Sequence, residues 1–163
     1  MALIKDGQFS EDVWVRVADE ESLSEETRAV VSLSRWKEEK ANLLQRNAPL
    51  GIRLEPGENP ESISEDVNAF SLIEVSFPAF KDGRGYSYAR MLRQDYGYEG
   101  ELRATGNVLR SQLSFMHRVG FNAFEVDERI TPDVVAKELS RYSHRYQPSV
   151  NGGRTVLEER ANA

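Results

Sequence analysis

The chain has no cysteine at all. That excludes disulfides, a thiol nucleophile, thiol redox chemistry and cysteine-ligated iron–sulfur clusters from these 163 residues. It has only two histidines, His117 and His144, and neither has a partner at metal-ligand spacing. The sequence therefore predicts no zinc centre and assigns no metal site, a carboxylate magnesium site being the one kind left open. Long apolar runs are absent too, so no segment reads as membrane-spanning. The first residues, MALIKDGQF, lack the basic and apolar regions of a signal peptide, and the expected location is the cytoplasm. Net positive charge is the last absence. At −6 overall, the chain is a poor match to nucleic acid.

What remains is the composition of one soluble globular domain, 39% hydrophobic and 29% charged. The charge is uneven. Between Ala79 and Gly120 stand seven basic residues (Lys81, Arg84, Arg90, Arg93, Arg103, Arg110, Arg118) against four acidic ones (Asp82, Asp95, Glu99, Glu101). That segment is +3 in a chain of −6, a pattern suited to a small anion or an acidic partner.

Periodicity supplies the elements. Residues 2–17 read as a β-hairpin around the Asp6-Gly7 turn, with Leu3-Ile4 pairing to Trp14–Val17. Short apolar strands follow at 30–33, 50–55, 72–77, 102–105 and 121–126, separated by helical stripes. Ser34 is the expected cap of the first helix and Asn107 that of the helix running to Val119. Gly97 and Gly120 read as helix ends, and Thr131-Pro132 as the start of a last helix. Strands alternating with helices imply a parallel sheet with right-handed crossovers. The predicted fold is thus α/β: one parallel sheet of about five strands, a barrel-like βα series with its helices mainly on one face, plus an N-terminal hairpin. The expected boundaries are hairpin 1–18, α/β domain 19–147 and flexible tail 148–163.

Side chains alternate between the faces of a strand. One face carries Ile52, Leu54, Ile73, Val75, Leu102, Ala104, Phe124 and Val126. The other carries Arg53, Glu74, Arg103 and Glu125 in alternating sign, ending at Asp127. The sequence predicts a polar, charged sheet face with a cross-strand ion network, and the hairpin as its lid. Ligands in parallel α/β folds bind at the carboxyl ends of the strands. The loop Lys81-Asp82-Gly83-Arg84-Gly85 lies at such an end, joined by Asn107 and Arg110. Two glycines beside a guanidinium, with a helix starting just after, suit an oxyanion. The third glycine of a dinucleotide fingerprint is replaced by Tyr88, so no nicotinamide or flavin motif is present. Catalytic residues and cofactor stay unknown at this level.

The stretch FPAFKDGRGYSYARMLRQDYGYEGELRATGNVLRSQLSFMHRVGFNAFEV adds a resemblance. Its motifs FPxFxDGRGxSxAR (Phe77–Arg90), YGYxGELRAxGxVLRxQ (Tyr96–Gln112) and GFxAFE (Gly120–Glu125) resemble the core of a bacterial domain-of-unknown-function family. The likeness runs from about Val31 to Gln147. Members are typically encoded beside assimilatory sulfite reductase and other cysteine-biosynthesis genes, and are often described as oxidoreductases of sulfite reduction. The resemblance implies a place in sulfite assimilation but brings no catalytic residues with it. Two roles follow from it. One is an accessory protein that binds a small oxyanion, or docks to sulfite reductase or its electron donor. The other is an oxidoreductase or electron-transfer component using an unidentified cofactor. Self-association into a homo-oligomer is compatible with either.

Overall fold

The computed structural model describes residues 1–161. Its framework is one eight-stranded sheet ordered β2-β1-β8-β7-β6-β5-β4-β3. The strands are β1 (Ala2–Lys5), β2 (Gln8–Ser10), β3 (Val15–Arg16), β4 (Ala29–Ser32), β5 (Leu50–Leu54), β6 (Phe70–Phe77), β7 (Glu101–Gly106) and β8 (Ala123–Val126). From β3 to β8 every pairing is parallel, whereas β1 joins β8, and β2 joins β1, in antiparallel fashion.

Five expected parallel strands are present, as β4 to β8, but the sheet is larger and mixed. The correction lies at the N-terminus. Asp6 (φ 49) and Gly7 (φ 80) both take the left-handed conformation of a two-residue hairpin turn. Such a turn pairs its immediate flanks, so Lys5 sits opposite Gln8 and Leu3 opposite Ser10. The hairpin therefore closes by Ser10. Val15–Arg16 does not return to Leu3-Ile4; it pairs with Ala29–Val30 at the far edge of the sheet.

The parallel strands succeed one another in sequence order, so right-handed crossovers place their connections on one side. These connections contain α1 (Leu33–Leu43), a 3-10 segment (Pro60–Ala69), α2 (Arg84–Arg90, prolonged by a π turn, Met91–Asp95) and α3 (Leu113–Arg118), with α4 (Pro132–Leu139) after β8. Their apolar residues, among them Trp36, Leu43, Ile63, Val67, Leu92, Leu113, Met116 and Val135, form one core with Ile52, Leu54, Ile73, Val75, Leu102, Ala104, Phe124 and Val126. The apolar strand face is thus the helix-covered face. Trp36 meets Phe70 edge-on at 4.6 Å, and Phe77 meets both Tyr86 and Phe121 edge-on.

The sheet is curled into a half-barrel, and two distances require it. Five peptide units from Ser10 to Val15 reach at most about 18 Å. In a flat sheet the edges β2 and β3 would stand about 34 Å apart. Likewise Arg16 on β3 lies 2.7 Å from Glu125 on β8, strands that a flat sheet would separate by about 24 Å. The polar face is therefore the concave one, and residues 11–14 cross its opening as a strap.

Local caps differ from expectation in two places. Ser32, not Ser34, caps α1: its hydroxyl accepts from the Arg35 N–H at 3.0 Å and donates to Asp19 at 2.7 Å. Asn107 caps nothing. Its N–H donates to the Phe77 carbonyl at 2.7 Å, because Gly106 (φ 87) turns the chain back against that backbone. A Cβ at Gly106 would stand 2.6 Å from the Phe77 oxygen. The helix expected from Asn107 begins at Leu113, after a 3-10 turn at Arg110–Gln112. The C-terminal segment contains a short helix, α5 (Val156–Ala161), and Thr155 is buried against Arg145.

Candidate functional site

The concave face is built from the alternation of β5 to β8. Register sets Arg53 beside Glu74 and Glu74 beside Arg103, one row across three strands. Glu125 lies two residues beyond the end of that row, since Arg103 pairs with Ala123. Glu74 and Arg103 are fully buried. Burial of an ion costs several kcal/mol unless its partners are well placed, and here they are. Arg103 takes Glu101 at 2.7 Å, both oxygens of Asp12 at 3.0 Å, and Glu74 at 3.4 Å. Arg16 forks onto Glu74 at 2.9 and 3.0 Å and reaches Glu125. Lys5 on β1 neutralises the second oxygen of Glu101 at 2.8 Å. Donation of hydrogen bonds to Glu74 raises the pKa of Arg16 above its ordinary value. Desolvation works against the charge on Arg103, but Glu101 and Asp12 outweigh it and the net direction is up.

Arg53 stands apart from its row neighbour. Its Nε turns to Glu55 at 2.6 Å, and its contact with Ser76 is a long 3.4 Å. Thr105, also on this face and buried, has a hydroxyl with no hydrogen-bond partner among the described residues. Sequence reasoning found Arg53, Glu74, Arg103 and Glu125, and missed Asp12, Arg16, Lys5 and Glu101. Glu101 carried a usable signal, because it shares the parity of Arg103 on the same strand. Asp12 and Arg16 come from the strap and the far edge, and no local pattern marks their destination.

The loop after β6 is self-contained. Arg84 forks onto Asp82 through Nε at 3.0 Å and Nη2 at 2.6 Å, and its N–H also donates to that carboxylate. The Arg84 hydrogen bond holds Asp82 below the usual carboxylate range. Gly85 is required sterically, since a Cβ there would lie 2.5 Å from the Phe77 ring. Gly83 has an ordinary φ of −90° and open space around it. Lys81 is exposed and forms no ion pair among the described residues.

Three other predicted residues do come together. Asn107, Arg110 and Asp127 line one cavity of about 500 Å³ at the carboxyl ends of β7 and β8, with Arg129, Leu109 and Val134. Arg110 uses its Nε on Glu138 of α4 at 2.7 Å, so its two terminal nitrogens have no partner among the described residues. Arg129 clamps Asp127 at 2.7 and 3.1 Å and holds its pKa down at about 2. The Arg110 hydrogen bond likewise lowers the Glu138 pKa.

Among the described residues no cluster of three or more histidines and carboxylates is arranged to hold a metal ion. No helix among them is long and apolar enough to cross a membrane. Among curated proteins, none matches the chain. A family model does match it, over residues 51–157. That span runs from β5 into α5 and contains the whole of the motif-bearing stretch, the cavity at β7 and β8, and every buried charge of β6 and β7. By this match, over about two thirds of its length, the chain belongs to the family of bacterial proteins of unknown function termed DUF934.

Proposed function

We propose that this protein is an accessory component of assimilatory sulfite reduction, and that it binds a small oxyanion at the carboxyl ends of β7 and β8. The observation that carries the binding reading is the half-used guanidinium of Arg110. It lies in a cavity shared with the exposed Asn107 carboxamide and the exposed cation Arg129. Free guanidinium N–H pairs suit planar or tetrahedral oxyanions, which accept two hydrogen bonds side by side. The location suits it too, because ligands of parallel sheets collect beyond the carboxyl ends of the strands. The pathway assignment rests on the motif resemblance around Phe77–Glu125. An accessory role is favoured over an oxidoreductase because the most reactive-looking groups, Arg84, Glu74 and Arg103, are already committed to one another or to Asp82, Asp12 and Glu101.

Isothermal titration with sulfite, sulfate and phosphate tests the site. Binding by the unaltered protein and a loss of at least tenfold in Arg110→Ala are the expected results. Absence of heat with all three anions, or equal affinity in Arg110→Ala, would overturn the reading. Co-elution with purified sulfite reductase examines the pathway assignment separately, and independent migration of the two proteins at micromolar concentration would remove it.

A further inference from the structure

The outer, helical side of the molecule carries a second cleft, distinct from the strand-end cavity. It measures about 630 Å³ and lies between α2, α3 and the segment 147–150. Tyr86, Phe115, Val119, Pro148 and Val150 form its apolar walls, and among the described residues Arg90 and Arg118 are its only charged lining residues.

Those two arginines have an unusual setting for a chain of net charge −6. Arg16, Arg53, Arg110 and Arg129, which line other cavities, are each committed to a carboxylate, whereas Arg93 is saturated by three backbone carbonyls and the Asn122 carboxamide. Arg90 and Arg118 have no carboxylate partner among the described residues. Arg90 gives only its Nε, to Gln94 at 2.8 Å. Arg118 holds the backbone carbonyl of Gln147 at 3.2 Å and touches the Ser149 hydroxyl at 3.5 Å. These bonds pin the segment 147–150 over α3 and shape the cleft without neutralising it. Asn151 adds to the pinning, its N–H donating to the Arg118 carbonyl and its carboxamide to that of His117.

Of the aromatic walls, Phe115 is the free one. Phe115 is 51% exposed although it stands on α3 beside the buried Met116. Tyr86 packs one edge on Phe77 and leaves the rest of its ring half-buried in the cleft. Burial of Phe115 under a ligand ring recovers apolar area at roughly 25 cal/mol per Å². Flat rings add stacking geometry to that term.

We infer that this cleft is a binding site for a phosphorylated planar ring, a mononucleotide-type ligand. Its ring would lie against Phe115 and Tyr86 and its phosphate between Arg90 and Arg118. The volume is within the range of small-molecule sites, about 300–1,000 Å³. Two guanidiniums without a carboxylate partner among the described residues, Arg90 with both Nη groups and Arg118 with its Nη1 beyond the bonds just given, supply the donors a phosphate accepts, and the apolar walls supply the face for the ring. The site is separate from the Arg110 cavity, so it stands or falls independently of the function proposed above.

Equilibrium binding with FMN and AMP tests it, with riboflavin, adenosine and inorganic phosphate as the corresponding halves. At least one nucleotide is expected to bind at micromolar concentration, and each half at least tenfold more weakly. Arg90→Gln and Arg118→Gln are expected to cost tenfold or more each, and Phe115→Ala to weaken the ring-bearing ligands while leaving phosphate unchanged. Both Arg90 and Phe115 are exposed, so their variants are expected to fold. Failure of both nucleotides to bind, or equal binding by the Arg90→Gln/Arg118→Gln double variant, would overturn the inference.

Discussion

Replacing Arg103 with methionine tests the concave charge network most directly. Methionine keeps the apolar stem and deletes the charged fork at its end. Arg103 is the shared cation of Glu101, Asp12 and Glu74. Without it Glu101 keeps Lys5 and Glu74 keeps Arg16, while Asp12 loses both of its contacts to the sheet. Two buried carboxylates are left short of positive charge in a site that water barely reaches. Removing one partner of a buried ion pair costs about 3–5 kcal/mol, a large part of the roughly 5–15 kcal/mol that holds a domain together. With a urea slope of about 2 kcal/mol per M, the unfolding midpoint is expected to fall by about 1.5–2.5 M. The second variant separates charge from shape. Arg103→Met/Glu101→Gln removes both partners of the shortest pair, so it is expected to be more stable than the sum of its single variants by about 1–3 kcal/mol. A midpoint shift for Arg103→Met below about 0.5 M, or strictly additive single variants, would refute the network as a stability determinant.

The part of this network that was legible in the sequence is the part fixed by strand periodicity. Four strands repeat one apolar and one charged parity, and parallel pairing in sequence order follows from the helices between them. Those two facts place Arg53, Glu74 and Arg103 in a row. The strap was hidden for a physical reason. Val15-Arg16-Val17 has the same alternation whether it closes a hairpin or crosses to β4, and the choice depends on the curl of a sheet formed by residues far along the chain. The Asp6-Gly7 turn did contain the answer. A two-residue turn forces pairing with Gln8–Ser10, but the polar Gln8 and Ser10 do not look like a strand. The reading of Lys81–Gly85 was limited differently. Composition shows a cation near two glycines, yet whether a guanidinium faces a ligand or its own neighbour is set by side-chain torsions. At Arg84 the neighbour, Asp82, takes both ends of the fork. Asn107 was read as a cap because asparagine before a helical stripe is a good cap signal. Gly106, with its positive φ, instead delivers that N–H to Phe77 and postpones the helix by one turn.

Two further predictions concern positions outside the proposed ligand sites. Gly106→Ala is expected to destabilise by at least about 1–3 kcal/mol, because a Cβ would meet the Phe77 backbone oxygen in a conformation L side chains avoid; Gly83→Ala, in open space with an ordinary φ, is its control and is expected to be neutral in thermal unfolding. Tyr98 sets the alkaline limit. Its ring is buried, and its hydroxyl donates to the Glu101 carbonyl at 3.0 Å. Burial raises its pKa well above the ordinary value of 10, because the phenolate would be desolvated and would also face Glu101. The sign follows from linkage. The neutral phenol is favoured in the folded state, so its contribution is fully present below pH 10, where both states are protonated. Above pH 10 the unfolded chain releases the proton and the folded one does not, so stability declines as pH rises towards the folded value. Tyr98→Phe loses the hydrogen bond, at a cost of about 1 kcal/mol near neutral pH, but keeps the ring. Its stability is therefore expected to fall less steeply between pH 10 and 11 than that of the unaltered protein, narrowing the gap seen at pH 7. Parallel slopes in urea titrations across that interval would show that the buried phenol does not control alkaline unfolding, and would place the alkaline loss with the arginine–carboxylate network or with exposed tyrosines.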